Sequence, residues 1–122
     1  MPNKETTDKL KLAIDYLSFR SRRIETLERD LANMKSTRTN SEEAEKTWKE
    51  RILALEERQK VNQGGENDGV PRMIEETKVQ LAAFKERQSR LGEEIVMQEN
   101  RIYELKKEIS SIEKYVEQHL DL

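Results

Sequence analysis

The stretch that decides the fold is residues 74–119, which read IEETKVQLAAFKERQSRLGEEIVMQENRIYELKKEISSIEKYVEQH. Fourteen positions in it follow one another at alternating intervals of three and four residues, and ten of them are apolar. This spacing, kept for about seven heptads, is typical of a coiled-coil helix, and we call such positions the heptad seam. The seam consists of Ile74, Thr77, Leu81, Phe84, Gln88, Leu91, Ile95, Gln98, Ile102, Leu105, Ile109, Ile112, Val116 and His119.

A glycine-rich segment, residues 61–71, precedes this stretch. It holds Gly64, Gly65, Gly69 and Pro71, so it predicts a loop, with the proline in the first turn of the next helix. Residues 5–60 form one arm and residues 72–120 the other, and the two are nearly equal in length. The sequence therefore predicts an all-α fold, a long antiparallel helical hairpin or coiled coil that makes residues 1–122 one elongated domain.

The first arm keeps the heptad spacing less regularly than the second. Its seam consists of two regular sets of positions. They are separated by an extra three-residue interval, a stammer that would overwind the coil locally. The two sets are Leu10, Ile14, Leu17, Ser21 and Ile24, then Leu27, Leu31 and Met34.

The middle of the first arm predicts a break or kink near residues 36–41. Ala44 is the only apolar residue between 35 and 47, and residues 36–41 read STRTNS, mostly poor formers of helix interiors. The seam returns at Trp48, Ile52 and Leu55. If the hairpin folds near residues 65–66, Ile52 meets Val79, and Trp48 lies against Ala82 and Ala83.

The composition argues against an enzyme. Hydrophobic residues make up 34% of the chain and charged residues 39%, whereas globular domains average about 45–50% and about 25%. So few apolar side chains cannot surround a compact pocket. One His and no Cys give no metal-ligating or catalytic constellation. We expect no enzymatic activity, no cofactor, no metal and no small-molecule substrate.

The charge balance argues against two classes of partner. Lys and Arg number 23 and Asp and Glu 25, so no general field favours nucleic acid or an anionic membrane. No apolar run is long enough for membrane insertion, and the absence of Cys suits a reducing compartment. These features predict an intracellular protein, cytoplasmic or nuclear.

A second set of apolar residues lies off the seam and predicts a surface for a helical partner. Because a two-stranded coil buries only one stripe, a second stripe marks a contact with another molecule or a face that the chain itself closes. A basic cluster adjoins it, which either contacts an acidic partner or pairs with the glutamates that follow. The candidates are Leu12, Tyr16, Phe19, Arg20, Arg22, Arg23, Val96, Tyr103 and Tyr115, which we expect to form one patch at the end of the hairpin that carries the termini.

These features favour a structural or scaffolding coiled-coil protein that docks other helical proteins at its termini end, as in tethering, kinetochore or cytoskeletal assemblies. One alternative is a parallel homodimeric coiled coil that acts as a spacer or dimerisation module. A prefoldin-like holdase chaperone is less favoured, because residues 61–71 lack the alternating Val, Ile and Thr of a strand between the helices.

Overall fold

The structure, a computed structural model, describes residues 4–61 and 69–120, and every regular element in those ranges is helical. α1 spans Lys4–Val61 and α2 spans Val70–Leu120. The two helices pack against each other as an all-α helical hairpin, which confirms the predicted fold class.

Contacts divide the chain into two compact units, each of which takes a part of both helices. Unit one comprises Met1–Asn33 and Ile95–Leu122, and unit two comprises Met34–Glu94. In unit one a buried apolar cluster forms from Ile24, Leu27, Ile102 and Ile109, with Leu17, Leu31 and Leu105 packed against it. The core of unit two joins Leu55, Val70 and Ile74, with Met73 against them. That residues 1–122 form one domain stays a prediction.

The predicted seam of α2 is confirmed along nearly its whole length. Every predicted position from Ile74 to Val116 is buried or half-buried. His119 is exposed instead, and its Nδ1 lies 2.8 Å from the carbonyl oxygen of Tyr115. The seam also begins earlier than predicted, because Val70 is fully buried.

The predicted register of the first part of α1 is wrong at two positions. Ile14 and Ser21 are exposed, whereas Ala13 and Arg20 are half-buried. Replacing the predicted pair with the observed pair gives unbroken intervals of three and four residues, so no stammer is needed. Arg20 tolerates a seam position because its stem covers apolar surface, while its Nε donates a hydrogen bond of 2.8 Å to the hydroxyl of Tyr16.

The break predicted near residues 36–41 is also wrong, because α1 is continuous from Lys4 to Val61. The half-buried positions continue through the polar stretch as Arg38 and Ser41. Within this continuous helix the hydroxyl of Thr39 donates a hydrogen bond of 3.1 Å to the carbonyl oxygen of Lys35, so the polar side chain finds a partner. Helix propensity is a weak prior that packing on either side overrides.

The ends of the predicted loop belong to the helices. Val61 ends α1, Val70 begins α2, and Pro71 lies in the first turn as predicted. Residues 62–68 lie outside the described residues. Gly69 has a φ of 78°, a backbone conformation that favours glycine, and its carbonyl oxygen accepts the first helical hydrogen bond, 3.0 Å from the nitrogen of Met73.

The cross-helix pairs predicted for unit two are wrong, because α2 turns a different face towards α1. Val79, Ala82 and Ala83 are all exposed, so they do not face the seam that holds Trp48 and Ile52. The seam positions of α2 on either side of these three residues, Thr77, Leu81 and Phe84, are buried or half-buried instead.

Two ion pairs show how the helices are aligned in unit two. The Nζ of Lys78 lies 3.6 Å from Glu56 Oε1, and the Nζ of Lys85 lies 3.8 Å from Glu45 Oε1. Residues later in α2 therefore pair with residues earlier in α1, as an antiparallel hairpin requires.

Candidate docking surfaces

All nine residues predicted to bind a partner belong to unit one. Four are strongly exposed apolar or aromatic residues: Leu12, Phe19, Val96 and Tyr103. Arg22 and Arg23 are exposed as well, whereas Tyr16, Arg20 and Tyr115 are half-buried. Met97, which the prediction did not include, is among the most exposed apolar residues of this unit.

The exposed apolar residues of the two helices lie on opposite flanks of the seam. In heptad notation, with Leu10 at position a, Leu12 and Phe19 occupy position c of α1. With Ile95 at position a of α2, Val96 and Tyr103 occupy position b. Around the helix, position c lies next to g on one side of the a–d seam, and position b lies next to e on the other side.

Two cross-helix contacts in unit one identify these sides. Packing of two antiparallel helices brings g near g on one side and e near e on the other. Tyr16 and Glu108, both at g, are joined by a hydrogen bond in which the phenol donates. Glu28 and Lys106, both at e, form an ion pair of 2.8 Å. The nine predicted residues therefore do not form one contiguous patch, and that expectation is wrong.

On the g side, α1 presents a surface that we call the Phe19 stripe: Leu12, Tyr16, Phe19 and Arg23. Its members follow at intervals of four, three and four residues, so they share one helix face. The hydroxyl of Tyr16 is engaged with Glu108 and Arg20. Tyr16 therefore links the two helices as well as contributing to the stripe.

The basic end of the Phe19 stripe forms no direct pair with its neighbours in the described part of the chain. The guanidinium groups of Arg22 and Arg23 make no hydrogen bond or ion pair with the residues that the structure describes. Glu28, expected to pair with them, is bound by Lys106 instead. In the described part of the chain, the arginines of this cluster therefore do not pair directly with the glutamates that follow them, contrary to that interpretation.

On the e side, two adjoining cavities form a surface that we call the Lys106 groove, after the residue that lines both. One cavity of about 280 Å³ lies over Ile24 and Ile109, and one of about 370 Å³ lies over Leu31 and Ile102. Apolar seam residues thus form the floor of both. The remaining lining residues are Ser21, Ser110 and Glu113 in the first cavity and Glu28, Glu99 and Tyr103 in the second.

Sequence reasoning missed this groove, although the chain carried a signal for it. Ser21 and Ser110 are small residues beside the seam, one on each helix, and they leave the apolar floor accessible. A third cavity, about 420 Å³ on the other side of α2, has Leu105 as the one apolar residue that lines it. It therefore offers little to an apolar helix face.

The described residues hold no group of three or more His, Asp and Glu side chains that could bind a metal ion. Within the same residues, neither helix combines the length and the apolar content that crossing a bilayer requires. Comparison of the chain with family models, curated proteins and solved structures found no significant match.

Proposed function

We propose that the protein is a non-enzymatic coiled-coil scaffold whose unit one docks helical proteins into a larger complex. One observation carries the proposal: exposed large apolar residues are concentrated in that unit. Among the described residues, unit one exposes seven and unit two exposes three. The seven are Leu12, Ile14, Phe19, Val96, Met97, Tyr103 and Leu120, and the three are Leu53, Val61 and Val79.

The hairpin already uses its seam to pair its own helices, so these residues are surplus to the fold. Leu12 and Phe19 lie seven residues apart on one face, the spacing by which a helix anchors on another helix. Exposed apolar residues grouped in this way mark interaction sites more often than singly scattered ones. An intracellular tethering, kinetochore or cytoskeletal assembly is the kind of complex that such a subunit would serve.

The alternative of a parallel homodimeric spacer is less favoured by the contacts. A parallel dimer must present its seam to a second chain, but within each unit the seam of α1 packs on α2 of the same chain. The ion pairs Glu28–Lys106 and Glu56–Lys78 would also be lost on opening.

Site-specific photo-crosslinking tests the proposal in cells that express the chain. A photoreactive phenylalanine at position 19 is compared with one at position 53, where Leu53 is as exposed as Phe19 (65% against 66%) but lies in unit two. We expect a specific product with a different, helical protein from position 19 and none from position 53. Equal products from both positions, or none from either, would contradict the proposal.

A further inference from the structure

We propose that unit one also binds a second copy of this chain head to tail, with the Phe19 stripe of one copy seated in the Lys106 groove of the next. The inference rests on the proposed function, because it assumes that unit one docks helices, and it names one such partner. Four observations carry it: the apolar character of both surfaces, their length, their charge and their placement on opposite sides.

The two surfaces match as a helix and a groove. The stripe offers Leu12, Tyr16 and Phe19 at intervals of four and three residues, the pattern by which an amphipathic helix enters an apolar groove. The floor of the groove is apolar, and Ser21 and Ser110 beside it allow a close approach of the incoming helix.

The two surfaces also match in length. Glu99 and Glu113, one in each cavity, are fourteen residues apart on α2. Lys9 and Arg23, which flank the apolar part of the stripe, are fourteen residues apart on α1. At 1.5 Å per residue, each span is about 21 Å.

The charges at the ends of the two surfaces are opposite. Glu28 is bound by Lys106, but Glu99 and Glu113 have no ion-pair partner among the described residues. On the stripe, Arg23 is likewise without an ion pair there, and Lys9 has only an exposed pair of 3.7 Å with Glu5, a type of pair worth little. Seating the stripe in the groove places basic groups near both free carboxylates.

The same charges exclude the symmetric alternatives. Two facing grooves would bring carboxylates together, and two facing stripes would bring basic side chains together, both of which are unfavourable. Because the stripe lies on the g side and the groove on the e side, each copy keeps one free surface after binding. Such a contact repeats, and it yields open chains or a closed ring instead of a two-fold dimer.

Sedimentation velocity of the full chain at low ionic strength tests this contact with two variants. The stripe variant carries Leu12→Gln and Phe19→Gln, and the groove variant carries Glu99→Lys and Glu113→Lys. The side chains of these four residues take part in no hydrogen bond or ion pair in the described structure, so the helical circular dichroism should be retained. Leu53→Gln, equally exposed but in unit two, is the matched control.

We expect the wild-type chain and the control to form species larger than a dimer as concentration rises. Each variant alone should associate at least about tenfold more weakly, as loss of central anchors does elsewhere. An equimolar mixture should form a one-to-one dimer, because one variant keeps the groove and the other keeps the stripe.

A wild-type chain that stays monomeric, or a mixture that does not form the dimer, would overturn the inference. So would variants that associate as strongly as the wild type. The proposed function fails separately: a monomeric chain that still crosslinks from position 19 to a different protein refutes only the self-association. A chain that associates with itself but gives no crosslink to any other protein refutes only the hetero-complex.

Discussion

Replacing Leu27 with alanine tests the core of unit one. Leu27 is 3% exposed and packs in one cluster with Ile24, Ile102 and Ile109. The substitution removes three buried carbon groups, and at about 0.8 kcal/mol for each the transfer cost is about 2.4 kcal/mol. The cavity adds less than in a thick core, because two packed helices can close over it, so we expect about 2.5–3 kcal/mol in total.

Urea denaturation followed by circular dichroism at 222 nm measures this loss, and the melting temperature should fall by roughly 10 °C. The control is Leu53→Ala, which removes the same atoms from a side chain that is 65% exposed and should change the stability by less than about 0.5 kcal/mol. A loss below about 1 kcal/mol for Leu27→Ala, or equal losses for both variants, would refute the assignment of Leu27 to the core.

Three further substitutions probe individual features by the same denaturation measurement. Gly92→Ala should stabilise the protein by about 0.5–1 kcal/mol, since an added Cβ meets no atom within 4 Å and alanine is the better helix former; a loss would show a contact that this geometry lacks. Thr39→Pro should lower the free energy of unfolding by about 3 kcal/mol and reduce the helical signal, because α1 is continuous there. A proline without effect would indicate that the helix is broken near residues 36–41. Gln88→Leu should stabilise by about 1 kcal/mol, because the Nε2 of Gln88 is buried without a hydrogen-bond partner; destabilisation would mean that the amide is satisfied.

The sequence was sufficient for the fold class and for α2, because its seam is rich in Ile and Leu. Positions such as Ile95, Ile102 and Ile109 leave one possible helix face, and all three are buried. Only His119, in the last turn of α2, departs from the predicted seam. It is exposed, and its ring lies tilted against that of Tyr115, with the ring centroids 4.1 Å apart.

The sequence was less informative for α1, because the most apolar residues there are not always the ones that pack against α2. Ile14 is the more apolar residue, yet Ala13 lies in the seam because it alone continues the spacing between Leu10 and Leu17. Arg20 is charged but enters the seam through its stem. Residue type alone does not reveal such choices, because they depend on which helix face the partner helix covers.

The candidate site was predicted residue by residue but not as a surface. The exposure of Leu12, Phe19, Val96 and Tyr103 follows from their positions off the seam. Their division between two sides depends on the register of α1, which the predicted stammer had displaced. The Lys106 groove escaped prediction because two helices form it jointly, so its signal, Ser21 on one helix and Ser110 on the other, becomes visible only when the register is known.

The central claim is that each chain pairs its own two helices antiparallel, and zero-length crosslinking on isotopically mixed protein tests it most directly. Carbodiimide joins a carboxylate to an amine at ion-pair distance, and the structure offers Glu28–Lys106 at 2.8 Å, Glu56–Lys78 at 3.6 Å and Glu45–Lys85 at 3.8 Å. A mixture of unlabelled and ¹⁵N-labelled chains is crosslinked, digested and analysed by mass spectrometry. The account predicts these three links only between peptides of the same label. Links that join labelled to unlabelled peptides in statistical proportion would contradict it.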